Sequence, residues 1–286
     1  MKYLLFLIGS LLLFSCKETQ TEKMSRLVSE WSGKEIVYPA NMQFTVLGQD
    51  TNFLPKSEYT IISYVDSIGC TSCKLQLPRW TDFIAQLDSI NSVSTSVSFF
   101  MHPKDKKEMA CILRRANFTH PVCIDETDAF NKLNHFPSEM EFQTFLLDKD
   151  NKVVAIGNPV HNPKVKELYL KIILGDKAPS KKVQNQTAVA CSNTQIDMGK
   201  FDWHQEQKTT FTLTNTGSSP LVVIDISTSC GCTTVDYGKE PVRPGDSTTL
   251  IVHYKADHPE HFDKTITVYC NAETSPIKLR IAGNAE

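Results

Sequence analysis

The segment ISYVDSIGCTSCKLQLPRW, residues 62–80, decides the fold of the first half of the chain. Its β-branched and aromatic start predicts a buried strand. Apolar residues then recur at helical spacing, which predicts an amphipathic helix over residues 74–90 with Pro78 in its early turns. Cys70 and Cys73 are therefore expected at the junction between a strand and a helix.

Two cysteines separated by two residues suit three kinds of chemistry, and the spacing alone does not choose among them. They form a reversible disulfide, a static disulfide or half of a metal site. A structural zinc site needs about four ligands, and no second CxxC or clear histidine pair accompanies Cys70 and Cys73. We therefore predict a redox-active pair, with an inert disulfide as the second interpretation and no metal.

The first residues of the chain predict export. A short basic start precedes an apolar run over residues 4–14, which is too short for a permanent membrane span and is typical of a signal peptide over residues 1–15. The run ends in LFSC, which resembles the lipobox of bacterial lipoproteins, whose cysteine is lipidated. This resemblance implies that Cys16 anchors the chain to a membrane of the cell envelope, and Lys17 favours the outer membrane. An ordinary cleaved signal peptide is the alternative.

The other cysteines also need an explanation, because exported thiols pair, bind metal or are kept reduced for a purpose. The chain has nine cysteines, and lipidation of Cys16 would leave an even number. The formal net charge of −2 gives no support for nucleic-acid binding, and the sequence contains no glycine-rich phosphate loop. The composition therefore indicates that the cysteines either carry out the chemistry of this protein or stabilise its fold.

The periodicity divides the mature chain into four parts. Polar residues over 16–34 predict a tether, and strands alternate with helices over 35–174, which predicts a mixed α/β domain. A polar linker is expected over 175–187. Beyond it, residues 188–286 contain about seven short strands separated by turn signals, a pattern typical of an Ig-like antiparallel β-sandwich.

The first domain, residues 35–174, resembles the thioredoxin superfamily in its order of strand, CxxC and helix, with Pro78 five residues after Cys73. The resemblance implies that Cys70 lies at a helix N-terminus as the attacking thiolate and that Cys73 resolves the mixed disulfide. It implies no cofactor. The implied partners are thiols or disulfides of exported proteins, or a redox partner protein.

Two positions depart from the thioredoxin pattern. Gly69 replaces the tryptophan that usually precedes the first cysteine. No cis-proline directly precedes the strand expected over residues 144–147, and Pro137 is the nearest candidate. In the family, that proline shapes the substrate groove. Its absence is therefore expected to affect the binding of partners more than the formation of the disulfide.

Two more cysteines of the first domain are candidate structural partners. Helical spacing places Cys111 nearly opposite the apolar stripe of its helix, and Cys123 follows on the next strand. A disulfide between them is one expectation. A buried free thiol is the equally weighted alternative.

The second domain carries the element SCGCTT, residues 229–234, between two strands. This Cys-Gly-Cys-Thr element resembles the bacterial Ig-like family DUF1573, a domain of unknown function. Cys230 and Cys232 are candidates for a strained disulfide or for a site that holds a soft metal ion. The preferred expectation is that one or both pair with Cys191 or Cys270 and so stabilise the sandwich.

Together these patterns predict a lipid-anchored envelope protein that carries out thiol-disulfide exchange through Cys70 and Cys73. The alternative is a non-catalytic binding or accessory lipoprotein with structural disulfides. Metal handling by Cys230 and Cys232 is a third possibility.

Overall fold

The computed structural model describes residues 20–53, 57–67, 75–90, 94–175 and 186–286. The predicted signal peptide, the lipidation site Cys16 and the pair Cys70 and Cys73 lie outside the described residues. Within those ranges, no helix has both the length and the apolar character needed to cross a bilayer.

The first domain is built on one seven-stranded mixed sheet. Its strands are β1 (Phe44–Val46), β2 (Gln49–Thr51), β3 (Tyr59–Val65), β4 (Thr95–Met101), β5 (Val122–Ile124), β6 (Thr144–Asp148) and β7 (Val153–Ile156). The sheet order is β2-β1-β5-β4-β3-β6-β7, with β3, β4 and β5 parallel and β6 antiparallel to β3. The predicted mixed α/β fold is confirmed.

The helices of this domain cover both faces of the sheet. They are α1 (Gln20–Trp31), α2 (Leu77–Ile90), α3 (Lys106–Arg115), α4 (Ala129–Asn134) and α5 (Pro163–Leu174), with a 3-10 turn at Met140–Phe142. Successive residues of a strand point to opposite faces, so each strand contributes side chains to a core on both sides of the sheet. Ile61 packs with Trp80 of α2 in one core, whereas Ile62 packs with Trp31 of α1 in the other.

Helix α1 corrects the prediction of a tether over residues 16–34. Leu27 is 5% exposed and Trp31 only 1%. The centroids of the Trp31 and Phe145 rings are 4.7 Å apart, and the Lys34 ammonium lies 3.7 Å from the centroid of the Trp31 ring. Leu27 and Trp31 are four residues apart, so a short apolar stripe in a polar segment was the available signal. Residues from 20 onwards therefore belong to the first domain.

The second domain is a sandwich of two four-stranded sheets. Its strands are β8 (Val189–Cys191), β9 (Gln195–Phe201), β10 (Gln207–Asn215), β11 (Val223–Thr228), β12 (Thr233–Tyr237), β13 (Ser247–Tyr254), β14 (Glu260–Cys270) and β15 (Ile277–Ala285). The sheets are β12-β13-β10-β8 and β11-β14-β15-β9. The predicted sandwich is confirmed, with one correction: β9 runs parallel to β15, so the sandwich is not wholly antiparallel.

A substitution at Trp31 tests whether α1 belongs to the core. Trp31→Ala should lower the free energy of unfolding of the first domain by about 3–5 kcal/mol, because it empties a fully buried aromatic site. Denaturant unfolding followed by circular dichroism measures this. Val28→Ala on the same helix is the matched control, since Val28 is 45% exposed and its removal should change little. Equal, small effects of both substitutions would mean that α1 is a tether after all.

Candidate functional site at the domain interface

The central strand β3 positions the segment that contains the CxxC motif. β3 pairs with parallel β4 on one side and with antiparallel β6 on the other. β4 and β5 extend the sheet on one side of β3 and β6 lies on its other side, so the strand order reverses at β3. Sites of open α/β sheets form beyond the carboxyl ends of strands at such a point. Asp66 directly follows this end of β3. In sequence, Cys70 and Cys73 come next, but they lie outside the described residues.

Gln143 occupies the place where the thioredoxin pattern has its cis-proline, immediately before β6. Its side-chain amide donates to Asp66 Oδ2 at 2.9 Å and to the Pro137 carbonyl at 3.0 Å. Its own carbonyl accepts from the Tyr64 N–H at 2.8 Å. Gln143 is buried and thus ties the start of β6 to the residue that follows β3. The sequence indicated that a proline is missing at this position, but it contains no signal for the hydrogen bonds that Gln143 makes.

The chain after the CxxC segment makes a sharp break before helix α2. Gln76 adopts a positive φ of 40°, an uncommon conformation for a non-glycine residue. Its carbonyl accepts from the N–H groups of Arg79 and Trp80 at 3.0 and 3.3 Å. Helix α2 begins at Leu77, three residues later than predicted, and Pro78 fits its first turn because no N–H is required there. The Arg79 side chain extends from this turn.

Arg79 joins the two domains. Its guanidinium donates from Nη1 to Asp225 Oδ2 at 3.0 Å and from Nη2 to Asp225 Oδ1 at 2.7 Å, a bidentate pair with strand β11. It also donates to the carbonyls of Ile226 at 2.5 Å and Val160 at 2.8 Å. Two planar forks of this kind combine geometric specificity with charge. One side chain of α2 thus bonds to β11 of the second domain and to the loop before α5.

The neighbouring His161 adds no charge to this contact. Its ring is buried, and burial together with the Arg79 charge lowers the pKa of His161 to about 4. The imidazole is therefore neutral near pH 7. It leaves the Arg79 charge to be balanced by Asp225.

A cavity of about 510 Å³ lies between the domains, beside the Arg79 contact. One wall comes from the residues that follow the CxxC motif, namely Leu75, Gln76, Leu77 and Pro78. The opposite wall includes Gly231 of the Cys-Gly-Cys element and the adjacent Thr228 and Thr233. The cavity is therefore lined both by residues that follow the CxxC motif in sequence and by the Cys-Gly-Cys element.

Cys230 and Cys232 form a disulfide with each other, with their Cα atoms 5.2 Å apart. They lie in the connection from β11 to β12, which crosses from one sheet to the other. Cys230 is 4% exposed, and its sulfur lies 3.2 Å from the hydroxyl of the buried Thr233. Cys232 is partly exposed. A disulfide between these two cysteines was one of the alternatives predicted from the sequence.

The connection is held from both sides by the backbone. The Cys230 carbonyl accepts from the Thr233 N–H at 3.3 Å, and the Cys232 carbonyl accepts from the Lys255 N–H at 3.0 Å. The Ser229 hydroxyl accepts from the Thr265 N–H at 2.8 Å. Hydrogen bonds to Thr233, Lys255 and Thr265 therefore hold the loop that carries the disulfide.

The preferred pairing of this motif with Cys191 or Cys270 differs from the structure, in which both of those residues are free thiols. Cys191 lies on the edge strand β8, and its thiol donates to the Asn193 carbonyl at 2.8 Å. Cys270 is buried at the end of β14 in the other sheet. Because the two motif cysteines bond to each other, neither is available to join the sheets.

The expected disulfide between Cys111 and Cys123 is likewise absent, and both residues are free thiols. The sheet separates them. Val122 faces the core that contains Met109 of α3, so the next residue, Cys123, points to the opposite face and packs with Phe100. Burial raises the pKa of the Cys123 thiol to about 11. The alternative of a buried free thiol thus describes Cys123, whereas Cys111 is partly exposed.

No group of three or more histidine, cysteine or acidic residues arranged for metal binding occurs in the described part of the chain. In the disulfide form, Cys230 and Cys232 hold no thiolate that could bind a soft metal ion.

Removal of the Arg79 guanidinium tests whether it holds the domains together. Arg79→Ala should weaken the interdomain contact by about 1–3 kcal/mol, since it removes the bidentate pair with Asp225 and the hydrogen bond to the Ile226 carbonyl. The expected result is a larger radius of gyration in small-angle X-ray scattering and faster amide exchange in β11. Arg115→Ala, at an exposed position of α3, is the control. Unchanged scattering and exchange in Arg79→Ala would contradict this role.

Comparisons with known proteins agree with the division into two domains. Residues 189–285 match the family model DUF1573, described as a protein of unknown function. No match was found among curated proteins.

Similar solved structures cover one half of the chain or the other. A protein of unknown function from Porphyromonas gingivalis W83 is 20% identical over 37% of this chain, with a TM-score of 0.32, and the match spans 50% of that protein's own length. The ASH/PapD-like domain of human CEP192 is 9% identical over 38% of this chain and 90% of its own, with a TM-score of 0.32. The thioredoxin domain of a thiol-disulfide oxidoreductase from Bacteroides vulgatus is 12% identical over 48% of this chain and 97% of its own, with a TM-score of 0.37.

Likenesses at these identities and scores carry no argument about activity. The resemblances predicted from sequence nevertheless agree with what is found. Residues 189–285 match DUF1573, and the N-terminal half of the chain has thioredoxin-like structural neighbours.

Proposed function

We propose that this protein is a membrane-anchored thiol-disulfide oxidoreductase that acts on exported proteins through Cys70 and Cys73. The observation that carries the proposal is where the described neighbours of the CxxC motif lie in the fold. In sequence the motif follows the end of β3, the strand at which the strand order reverses, and precedes the turn before α2. Such a position is where α/β sheets build their sites.

The chemistry would follow the thioredoxin pattern. Cys70 would attack a disulfide sulfur as a thiolate, and Cys73 would then attack the mixed disulfide and release the second thiol. The reaction would need no cofactor, because the electrons come from or go to the thiols of a partner protein. The proposed partners are thiols or disulfides of exported proteins, or a redox partner protein of the envelope.

The described residues on either side of the motif are held by specific hydrogen bonds. Gln143 ties Asp66 to the start of β6 on one side of the motif, and the Arg79 contact fixes the first turn of α2 on the other. The segment with both cysteines is thus bounded by two anchored ends. Precise placement of reacting groups is what a thiol-exchange site requires.

The non-catalytic alternative, an accessory lipoprotein with structural disulfides, has less support. It has all the cysteines act as structural disulfides, whereas Cys111, Cys123, Cys191 and Cys270 are free thiols. Metal handling by Cys230 and Cys232 would require these two residues to be reduced.

An insulin reduction assay on the full chain tests the proposed activity. With dithiothreitol as electron donor, the wild-type protein should accelerate the reduction of insulin disulfides. Cys70→Ser should lower that rate by about 100-fold or more, because the attacking thiolate is lost. Cys111→Ser removes a thiol from α3 and is the matched control, for which an unchanged rate is expected.

The same assay can reject the proposal. If the wild-type protein reduces insulin no faster than the Cys70→Ser variant does, the proposed activity is wrong. A reduction potential of the Cys70 and Cys73 pair below about −300 mV, the range of structural disulfides, would also contradict it.

The proposed anchor is a lipid on Cys16, and the proposed location is the cell envelope, with the outer membrane favoured over the inner. An anchor of several acyl chains holds a protein stably on a membrane. Cys16→Ser should therefore move the protein from the membrane fraction to the soluble exported fraction after cell fractionation. If the variant stays in the membrane fraction as the wild type does, the lipid anchor is wrong.

A further inference from the structure

We infer that the disulfide between Cys230 and Cys232 is a redox site of the second domain in its own right, which accepts two electrons from the dithiol of another protein. The inference rests only on the Cys-Gly-Cys loop between β11 and β12 and on the residues that contact it. It goes beyond the proposed function, because it needs neither Cys70 nor Cys73.

The bond contributes little to holding the fold together. It joins two residues of one loop that are only two positions apart, and the stabilisation that a disulfide gives falls as the loop it closes becomes shorter. Backbone hydrogen bonds to Thr233 and Lys255 already hold this loop. Cys191 and Cys270, which lie on strands of different sheets, stay free thiols. Stabilisation of the sandwich therefore does not account for the pairing of Cys230 with Cys232.

The two cysteines differ in exposure, and this sets the order of the exchange. Cys230 is 4% exposed, whereas Cys232 is partly exposed. Thiol-disulfide exchange requires that a thiolate reach one of the two sulfur atoms. Cys232 is therefore the residue that is attacked, and Cys230 is the leaving group.

The hydroxyl of Thr233 favours Cys230 as the leaving group. Thr233 is buried, and its hydroxyl oxygen lies 3.2 Å from the Cys230 sulfur and 4.0 Å from the Cys232 sulfur. A disulfide sulfur carries no hydrogen, so the hydroxyl is the donor. Hydrogen bonds to charged acceptors are stronger than those to neutral ones, so this bond strengthens as Cys230 departs as a thiolate. A stabilised thiolate leaves faster.

The reductant that fits this loop is a dithiol. After the attack on Cys232, the Cys230 thiolate stays beside the mixed disulfide, because the loop holds the two Cα atoms 5.2 Å apart. It therefore re-forms the original bond quickly. A monothiol loses this competition, whereas a dithiol keeps its second thiol close to the mixed disulfide and completes the reduction.

The exchange balances in atoms and electrons. The first thiolate of the dithiol forms a bond to the Cys232 sulfur, the bond between Cys232 and Cys230 breaks, and Cys230 leaves as a thiolate. The second thiol of the reductant then attacks the first sulfur of the reductant and releases Cys232. Two electrons and two protons pass to Cys230 and Cys232, and the dithiol becomes a disulfide. The same steps in reverse, with a protein disulfide, re-oxidise the site.

Reduction kinetics on the full chain test the inference. A Cys70→Ser, Cys73→Ser variant leaves Cys230 and Cys232 as the only motif cysteines. Dithiothreitol is the dithiol probe, N-ethylmaleimide traps the thiols, and mass spectrometry of the peptide with Cys230 and Cys232 follows the reaction. We expect the folded protein to be reduced within about tenfold of the rate of the denatured protein. The monothiol 2-mercaptoethanol, at the same thiol concentration, should reduce it at least about tenfold more slowly.

Single-cysteine variants test the order of the attack. In the same background, Cys230→Ser leaves Cys232 alone in the motif, and Cys232→Ser leaves Cys230 alone. We expect Cys232 to form a mixed disulfide with oxidised glutathione about tenfold faster than Cys230, because it is the exposed residue of the two. Equal rates would contradict the assigned order.

Substitutions of Thr233 test its positioning role with both motif cysteines present. Thr233→Val should slow the reduction by dithiothreitol about tenfold, because it removes the hydrogen bond to the leaving sulfur, and Thr233→Ser should keep the original rate. In the Cys232→Ser variant, Thr233→Val should also move the pH profile of Cys230 alkylation to higher pH, since the thiolate loses its donor. Thr233→Ser should leave that profile in place.

A purely structural disulfide gives different results. It would be reduced only when the domain unfolds, at least about 1000-fold more slowly than in the denatured protein, and the reduced domain would lose its folded circular-dichroism signal. Either result would overturn the inference. The insulin assay reports on Cys70 and Cys73 alone. A wild-type chain that does not reduce insulin, but whose second-domain disulfide is reduced rapidly in the folded state, would refute the proposed function and support this redox site.

Discussion

The relative placement of the two domains depends on one guanidinium. Arg79 reaches from the first turn of α2 to a carboxylate and a carbonyl of β11, and to a carbonyl of its own domain. A lysine has no planar fork and could not satisfy these acceptors in the same geometry. Because a partly buried charge needs its partner, the two segments that meet at Arg79 are fixed in register with each other.

This constraint explains why the interdomain cavity has the walls that it has. The turn at Gln76 presents the residues that follow the CxxC motif, and the connection from β11 to β12 presents the Cys-Gly-Cys loop. Both walls lie within a few residues of the Arg79 contact along the chain.

Four of the described cysteines lie in two contrasting environments. Cys230 and Cys232 lie in a loop that crosses between sheets, where a bond between near neighbours in sequence costs the packing little. Cys123 and Cys270 instead fill positions in the cores of the two domains. A buried thiol behaves there as a small apolar side chain, which accounts for free thiols in a chain predicted to be exported.

Local pattern predicted much of the fold. The β-branched run predicted strand β3, and helical spacing predicted α2 with a start three residues too early. Helix α1 was missed because, among its side chains whose burial is described (residues 22–31), only Leu27 and Trp31 are deeply buried, too few to stand out in a polar segment. The parallel pairing of β9 with β15 was missed because strand period is the same for either direction.

The sequence by itself determined the two fold classes, the CxxC between a strand and a helix, and the Cys-Gly-Cys element of the second domain. These are local properties, set by residues close together along the chain. Only the tertiary structure decided which cysteines pair, that Gln143 bonds to Asp66, and that Arg79 of one domain meets Asp225 of the other. Arg79 and Asp225 are 146 residues apart, and no periodicity records a contact made across that distance by packing.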